Sequence, residues 1–502
     1  MRQRLPYAGF GILATLVGMA VGHLVASLLD PASSPVVAVG STVIDLTPTP
    51  VKEWAVQTFG TADKPILIGS VMAGAALLAA IGGVLARRRF VLGAGVLVGL
   101  VAVAGVMALL RPTAGVTDAL PALATGLAGV ATLWWLTRSA SPAASGEADG
   151  PTRRGVLVAT GAAAAAAAVA GGAGWLVGGL RRSSPAEVAL PAPTDPAPAF
   201  PDGLGDKVPG ISPFRTPTAD FYRIDTRLTL PTLDIEGYEL VVDGDVEEEL
   251  RLSFEDLTKM DLIERDITLT CVSNDVGGPY VGGARWLGVR LTDVLDMAGV
   301  GDTADQILAT DVDGMTISTP LSVATDGRDA MIAIGMNGGA LPREHGFPVR
   351  MVVPGLYGFV SACKWMTKMT LTTYDEQQAY WTERGWATDA PIKISSRIDT
   401  PKSFQEIDAG ETFIGGVAWA QDRGIGTVEV QIDGGQWQQA ELGPSAGVDY
   451  WRQWFFPWNA ESGEHTLAVR AVTREGEVQT PAKAQPFPDG SSGYQSIIVR
   501  VA

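Results

Sequence analysis

Residues 336–358 read MNGGALPREHGFPVRMVVPGLYG, and this stretch decides the fold of the second half of the chain. Short apolar runs alternate with turns that contain Gly and Pro, which is typical of short strands joined by tight loops. The loops present His345, Arg350 and, a little further on, Lys364 in that order. A guanidinium is a forked donor and an ammonium a point charge, so the order favours a ligand with a phosphate and ring nitrogens. Taken alone, His345 is equally compatible with a structural role.

A second segment with candidate functional residues lies earlier, at residues 267–278, which read ITLTCVSNDVGG. The β-branched run predicts a strand that leads into Cys271 and then into a polar, Gly-rich loop. Small loop residues let backbone amides approach an anion. Cys271 therefore either faces a ligand or is an inert buried cysteine. The chain has two cysteines, which excludes a disulfide scaffold and any cysteine-rich zinc or iron–sulfur module.

Together these segments resemble the sulfite oxidase family of molybdopterin-dependent oxidoreductases. The resemblance runs from FYRIDT at 221–226, through the Cys271 loop, to HGFPVR at 345–350 and KW at 364–365, and covers about residues 210–500. It implies an α+β molybdopterin-binding oxidoreductase domain at 211–385 and an immunoglobulin-like, dimerisation-type domain at 386–502. Independently of any family, the chain after residue 390 shows short alternating strands every 8–12 residues with Gly-rich turns, which is typical of an all-β sandwich.

The resemblance implies that Cys271 is the protein thiolate on a molybdenum held by the dithiolene sulfurs of one pterin. A soft, anionic thiolate suits such a metal. The resemblance also implies a set of cofactor-binding residues, which are Arg223, Asp225, Thr226, Cys271, Asn274, His345, Arg350, Ser361 and Lys364. Asp225 and Thr226 stand where the family has an Asn-His pair. Lys364 lies one residue further from His345 than in the animal enzymes.

The residues after Cys271 bear on the substrate. Family members that oxidise sulfite carry arginines there, whereas this chain has Asn274, Asp275 and Val276. An acidic loop repels sulfite or nitrate, so we expect two-electron oxygen-atom transfer on a small, neutral or zwitterionic S- or N-oxide. The resemblance implies an external electron-transfer partner, in or outside the membrane, because a cytochrome b5-like haem domain is missing. It also implies a homodimer. The alternative is a membrane-tethered binding or sensor protein that keeps the fold without the metal.

The front of the chain predicts an all-α transmembrane bundle at 1–182. A bilayer core requires about 20 apolar residues per helix. Five stretches meet or nearly meet this requirement: 8–29, 65–86, 90–110, 115–136 and 155–180. The fifth is rich in Ala and Gly and is also compatible with a buried soluble helix. Between the first two, segments 36–46 and 51–59 either lie at the outer membrane interface or form an irregular loop.

Basic residues indicate how the spans are oriented. They cluster on one side of the predicted bundle, at Arg2, Arg4, Arg87, Arg88, Arg89, Arg138, Arg153 and Arg154. We therefore expect a multi-pass protein of the cytoplasmic membrane, with a cytoplasmic N-terminus and residues 183–502 outside. Arg153 and Arg154 precede a weakly apolar run and are either a twin-arginine export signal or ordinary topology charges. A single histidine, His23, lies in the spans, so we expect no haem in this chain.

Composition separates the two halves. Residues 1–182 hold 13 Lys and Arg against 7 Asp and Glu, whereas the remainder holds 24 against 47. A net charge of −17 makes nucleic acid an unsuitable partner. Between the halves, the segment 183–210 is rich in Pro and Ala and predicts an extended linker.

Overall fold

The computed structural model describes residues 5–59, 62–140, 153–180 and 188–502. The chain forms two compact units, one of Met1–Ser183 with Asp225–Thr232 and one of Ser184–Ile224 with Leu233–Ala502. The first unit also takes in 225–232, which the sequence assigned to the molybdopterin domain. The predicted topology charges at Arg2 and Arg4 lie outside the described residues.

The first unit is mainly helical in its described part. Its helices are α1 Leu5–Leu28, α2 Pro35–Leu46, α3 Thr49–Phe59, α4 Asp63–Ala86, α5 Phe90–Leu109, α6 Leu120–Ser139 and α7 Arg153–Leu180. Five helical stretches are long and apolar enough to cross a membrane: Leu5–Leu28, Asp63–Ala86, Phe90–Leu109, Val116–Ser139 and Arg154–Gly179. They coincide with the five predicted spans. The segment between the first two forms the helices α2 and α3, so an irregular loop is excluded there.

Helix α1 is the centre of this unit and packs against α4, α6 and α7. Small residues let the backbones approach closely, as is typical of packed apolar helices. A Cβ on Gly11 would collide with the Ala79 carbonyl oxygen of α4, and a Cβ on Gly22 would collide with the Thr125 hydroxyl of α6. In α7 only 11% of the apolar window is buried, which disfavours the alternative of a buried soluble helix.

The second unit begins with a mixed region. Its strands are β1 Glu239–Gly244, β2 Leu250–Ser253, β3 Leu262–Thr270, β4 Val281–Arg290, β5 Gln306–Asp311, β6 Thr316–Pro320, β7 Met331–Met336, β8 Gly339–Ala340, β9 Arg350–Val352 and β10 Met366–Thr372. Four short helices join them: α8 Phe254–Lys259, α9 Leu291–Ala298, α10 Leu321–Ala324 and α11 Gly358–Ser361. Helix α8 begins with a capping box, in which the Ser253 hydroxyl accepts from the Asp256 amide.

These strands form two sheets. One has the order β2-β1-β10-β5-β6, and the other has the order β3-β4-β7-β8, with β9 paired to β7. The second sheet places Cys271 at the end of β3, and it places Arg350 at the start of β9. The chemistry-bearing residues of the sequence therefore converge on one sheet although about 80 positions separate them.

The C-terminal region is all-β. Its strands are β11 Ser395–Thr400, β12 Glu406–Ile407, β13 Gly410–Trp419, β14 Ile425–Ile432, β15 Gln438–Gln439, β16 Glu441–Leu442, β17 Arg452–Ala460, β18 Gly463–Thr473 and β19 Gln495–Val501. They form sheets of the order β11-β13-β17-β16 and β12-β19-β18-β14-β15. Side chains from both sheets share one hydrophobic core, which includes Ile414, Trp454, Val428, Leu467 and Val499. The immunoglobulin-like classification remains a prediction.

The Pro-rich segment from residue 188 to 210 is extended but not isolated. The amides of Thr194 and Asp195 both donate to the Leu262 carbonyl oxygen, and the Glu264 amide donates to the Asp195 carbonyl oxygen. The Asp195 carboxylate also pairs with Arg265 at 2.6 Å. The segment therefore continues the edge of β3, because that edge strand has backbone groups free to pair.

Candidate functional site

Cys271 follows directly on the last residue of β3, which confirms the predicted strand that leads into it. Its amide donates to the Tyr280 carbonyl oxygen at 3.0 Å, and its carbonyl oxygen accepts from the Asn274 amide at 3.0 Å. Both backbone groups of the cysteine are therefore fixed. The thiol is half-buried and is not part of a disulfide.

Asn274 closes the Cys271 loop from the inside. Its side chain is buried, and its carboxamide oxygen accepts from the Tyr280 amide at 2.8 Å. Its carbonyl oxygen accepts from the Ser491 hydroxyl at 2.5 Å, and Arg397 donates to the Gly278 carbonyl oxygen at 2.9 Å. Residues of the C-terminal region thus hold the loop. The side-chain oxygen of Asn274 therefore stabilises the loop, whereas the sequence analysis predicted that this residue binds the cofactor.

The surroundings of Cys271 act on its pKa in opposite directions. Burial raises the pKa of the thiol, whereas the amide and hydroxyl of Ser273 and the ammonium of Lys364 lower it. Burial dominates, so the thiol by itself is protonated at neutral pH. A metal ion would displace that proton, because the thiolate is the form that binds metals.

His345 lies in the short turn Arg343–His345 and is buried. Its Nε2 is 3.2 Å from the Thr218 carbonyl oxygen, and its ring packs edge-on against Phe221 at 5.4 Å between centroids. Burial and the neighbouring Arg350 charge lower the pKa of His345 to about 4. The imidazole is therefore neutral at pH 7. With the proton on Nε2 facing Thr218, Nδ1 is left as an acceptor.

Arg350 is the most deeply buried cation of the group, at 4% exposed. Its Nη1 donates to the His345 carbonyl oxygen at 3.0 Å, and its guanidinium carbon lies 4.9 Å from the centre of the Trp286 ring. No acidic side chain pairs with it within the described residues. Burial lowers the pKa of Arg350 to about 10, so it remains charged at neutral pH. A buried charge without an opposite charge is costly, and this position is suited to an anion.

Lys364 is brought to the same place by a close approach of two backbone segments. Gly346 has a φ of +112°, and a Cβ there would lie 3.1 Å from the Lys364 Cα. The Trp365 amide donates to the Gly346 carbonyl oxygen at 3.3 Å, and the Lys364 ammonium donates to the Glu344 carbonyl oxygen at 3.3 Å. The structure thus brings His345, Arg350 and Lys364 together, as the sequence predicted from their order.

Ser361 serves local structure. Its hydroxyl donates to the carbonyl oxygens of Leu356 and Tyr357, each at 3.0 Å, and the side chain is fully buried. These bonds tie the last residue of α11 to the turn that precedes the helix. The hydroxyl therefore bonds to backbone, whereas the sequence assigned this residue to the cofactor.

The three residues predicted from FYRIDT are separated. Arg223 is half-buried in the second unit, whereas Asp225 and Thr226 belong to the first. Within that first unit the Asp225 carboxylate accepts from the Lys64 ammonium at 2.8 Å, and it is only 5% exposed. The structure therefore does not place Asp225 and Thr226 in the unit that contains Cys271. An ion pair with a residue 161 positions away has no signal in the local sequence.

Tyr222 is a residue that the sequence reading passed over. Its ring stacks on Phe221 at 5.2 Å between centroids. Its pKa is raised by burial and by the nearby Cys271, and it is lowered by Arg350. The charges of the thiol and of the guanidinium thus both act on the pKa of this phenol. Its position in the sequence could have indicated a role at the site, because Tyr222 lies within the run FYRIDT, which carries part of the family resemblance.

Comparison with known proteins agrees with this arrangement. Residues 227–381 match the model of the oxidoreductase molybdopterin-binding domain, a range that contains Cys271, His345, Arg350 and Lys364. Mitochondrial sulfite oxidase of Rattus norvegicus is 32% identical over 316 residues, which is 53% of this chain and 57% of that protein. The chain is therefore similar to sulfite oxidases over about half of its length.

Other members match over a similar stretch. Sulfite oxidase of Arabidopsis thaliana is 27% identical over 289 residues, which is 48% of this chain and 73% of that protein. The solved sulfane dehydrogenase SoxCD from Paracoccus pantotrophus has the same fold over 57% of this chain and 81% of its own, with a TM-score of 0.50 and 24% identity. The chain spans little more than half the length of the first curated relatives that it matches. All of the range that matches the family model lies in the second unit, except residues 227–232.

Proposed function

We propose that this chain is a molybdenum-pterin oxidoreductase, anchored by its five long helices, whose domain at residues 211–385 transfers an oxygen atom to or from a small substrate. One observation carries the proposal. Arg350 is a buried guanidinium without an acidic partner in the described chain, and it lies on the same sheet as the end of β3, where the Cys271 thiol is in no disulfide.

The donor set fits such a cofactor. Cys271 offers the soft sulfur ligand that a molybdenum–dithiolene centre takes. Arg350 offers a fork of N–H donors for a phosphate, and Lys364 adds a second positive charge. His345, neutral and with Nδ1 as acceptor, can receive a ring N–H. The bound group would supply the two-electron oxygen-atom chemistry, and the protein supplies ligation, orientation and charge.

The loop after Cys271 supports a neutral or zwitterionic S- or N-oxide as the substrate. Asn274, Asp275 and Val276 provide no positive charge, and burial raises the pKa of the Asp275 carboxyl. Where this carboxyl is ionised it repels anions such as sulfite, and where it is protonated it still attracts none. The substrate would therefore be recognised by hydrogen bonds and by contact rather than by charge.

Location and export form a second part of the proposal. Arg87, Arg88 and Arg89 follow α4, and Arg138 ends α6, which supports a cytoplasmic N-terminus and an outer position for residues 188–502. Arg153 and Arg154 at the start of α7 would direct export of the folded domain with its cofactor. External protease should cut this domain in spheroplasts. Protection of the domain until the cells are lysed would reverse the orientation.

The C-terminal residues 386–502 would be the immunoglobulin-like domain through which two copies associate. Its two sheets with a shared core support this classification. Electrons would be exchanged with an external partner, in or outside the membrane. Nothing in the proposal requires a haem in this chain.

Replacement of the proposed ligand tests the function. Cys271→Ser should lower turnover by roughly 100-fold or more, since loss of even a supporting residue at a metal site costs about 10- to 100-fold. Pterin should remain largely bound, because Arg350 and Lys364 are unchanged. Cys363→Ala is the matched control, since it removes the other free thiol from the hydrophobic core. Wild-type turnover in Cys271→Ser would refute the ligand. A wild-type protein without molybdenum would favour the binding or sensor alternative.

A further inference from the structure

A short segment from the second half of the chain belongs to the helical unit. The chain enters that unit at Asp225 and leaves it after Thr232, before β1 begins at Glu239. Residues 225–232 form neither helix nor strand, and they are called the strap below. One residue separates the strap from the FYR run at 221–223, which belongs to the second unit.

An ion pair holds the first residue of the strap. The Asp225 carboxylate accepts from the Lys64 ammonium at 2.8 Å and from the Arg227 amide at 3.0 Å, and its side chain is only 5% exposed. Further along the strap, the Leu228 side chain packs on α2, where a Cβ on Gly40 would lie 2.6 Å from the Leu228 Cδ1. A buried carboxylate that loses its cation strongly destabilises the fold, so this pair favours the docked strap.

The position of Lys64 in its own helix indicates the same role. Lys64 lies in the first turn of α4, where the positive end of the helix dipole disfavours a cation and favours an acid such as Asp63. The ammonium of Lys64 instead reaches Asp225, which is 161 positions later in the chain. The ion pair therefore offsets an unfavourable placement of Lys64 within its helix.

The FYR run is fixed at its other end by the second unit. The Phe221 ring packs edge-on against Trp286 and against His345, with centroids 5.9 and 5.4 Å apart. A Cβ on Gly282 of β4 would lie 2.9 Å from the Phe221 ring. Lys64 holds the chain four residues after Phe221, and four extended residues span at most about 14 Å. The run beside His345 is thus held at both ends over a short length of chain.

We propose that the Lys64–Asp225 ion pair is a lock, which holds the strap, keeps the FYR run beside His345 and thereby slows release of the cofactor. Lys64 acts through the strap and is a positioning residue. Under the proposed orientation the start of α4 is on the outer side of the membrane, as is the oxidoreductase domain. The inference rests on the proposed function, because it takes the pterin cofactor as the group that the site holds.

Limited trypsin digestion of the purified full chain in detergent measures the lock without any cofactor chemistry. Arg227 is the trypsin site within the strap. Cleavage requires local opening, and its rate follows the population of the open form when opening is fast. Lys64→Met should raise the cleavage rate at Arg227 by about tenfold or more, because a charge-assisted bond is lost. Lys64→Arg keeps the positive charge and should behave like wild type.

Pterin release measures the consequence for the site. Wild type, Lys64→Met and Lys64→Arg are freed of unbound pterin by gel filtration, and the pterin that then appears in solution is followed over time. Lys64→Met should release pterin several-fold faster than wild type, and Lys64→Arg should release it at the wild-type rate. Arg111→Met is the matched control, since it breaks an ion pair with Asp30 elsewhere in the helical unit. It should change neither cleavage at Arg227 nor pterin release.

Three results would overturn the proposal. Equal cleavage of wild type and Lys64→Met would show that the ion pair does not hold the strap. Faster cleavage with unchanged pterin release would show that the strap does not act on the site. An equal acceleration in Arg111→Met would make the effect a general loosening of the helical unit. If Lys64→Met does not fold, Leu228→Ala removes the apolar contact of the strap and takes its place.

Failure of the proposed function would be recognised separately. Wild type without bound pterin would refute that function and with it the role of Lys64 in retention. Cleavage at Arg227 would still decide whether the ion pair holds the strap, because this readout does not depend on a cofactor.

Discussion

Two arginines on the same sheet have opposite surroundings. Arg285 on β4 donates through Nε and Nη2 to both carboxylate oxygens of Asp266, at 2.9 and 2.6 Å. Arg350 on β9 is more deeply buried, yet it contacts backbone carbonyl oxygens and the Trp286 ring, with no carboxylate from the described residues. Both guanidinium groups lie over an aromatic ring, at Phe200 and at Trp286, so the aromatic contact does not distinguish them.

The difference separates a structural charge from a functional one. A protein normally pairs a buried cation with an anion of its own, because an unpaired buried charge destabilises the fold more than a paired one does. Asp266 is this anion for Arg285, whereas no carboxylate of the described residues pairs with Arg350. We therefore expect Arg350→Met to lower cofactor content and Arg285→Met to lower stability.

The largest effect should come from Arg350→Met. Loss of one charge-assisted contact to the pterin phosphate is worth about 1.5–3 kcal/mol, which corresponds to roughly 10- to 100-fold in affinity. Molybdenum and pterin content per folded chain should fall accordingly, while turnover per bound molybdenum changes little. Metal analysis of the purified variant measures this. Full occupancy together with collapsed turnover would show that Arg350 acts on the substrate instead.

Arg285→Met should act on stability instead. It leaves the Asp266 carboxylate, which is 5% exposed, without its bidentate partner, and it should lower the free energy of unfolding by about 2 kcal/mol. Cofactor content per folded chain should stay at the wild-type level. The double variant Arg285→Met with Asp266→Leu should recover most of the loss, since no buried charge remains. Chemical denaturation of the wild type, the single variant and the double variant measures these differences in stability. A loss of cofactor in Arg285→Met would contradict the distinction between the two arginines.

The smallest effect concerns a charge pair near the surface of the C-terminal region. The Asp433 carboxylate accepts from His465 at 2.7 Å and raises the pKa of that imidazole. Because the folded-state pKa lies above the ordinary value of 6.5, the pair contributes fully below about pH 6.5 and is lost as the pH rises through the raised value. The contribution should be below about 1 kcal/mol.

The variant His465→Gln isolates this contribution. The difference in melting temperature between wild type and variant should be largest near pH 6 and should shrink towards pH 9. A difference that grows with pH would contradict the sign of the shift.

Local patterns predicted much of this structure because they report on neighbours in the chain. The long apolar stretches predicted the five long helices, and the β-branched run predicted the strand before Cys271. The order of His345, Arg350 and Lys364 predicted a cluster, which short loops between short strands can form with few alternatives.

What escaped prediction depends on contacts between distant residues. Asp225 is paired with Lys64, 161 positions earlier, within the first unit, and Ser491 holds a loop 217 positions earlier. The absence of an acidic partner for Arg350 among the described residues could not be predicted either. The positions of the 54 acidic residues in the sequence do not show which Lys or Arg each of them contacts in the fold.

The central claim is that Arg350 and Cys271 form the binding site of a molybdenum-pterin cofactor, and it is tested most directly by stoichiometry. The full chain should be purified from cells supplied with molybdate, and molybdenum and pterin should be measured per mole of folded protein. We predict close to one of each per chain in wild type, and we predict that Cys271→Ser largely retains the pterin and its metal but loses turnover. Folded wild-type protein that contains neither molybdenum nor pterin would contradict the account.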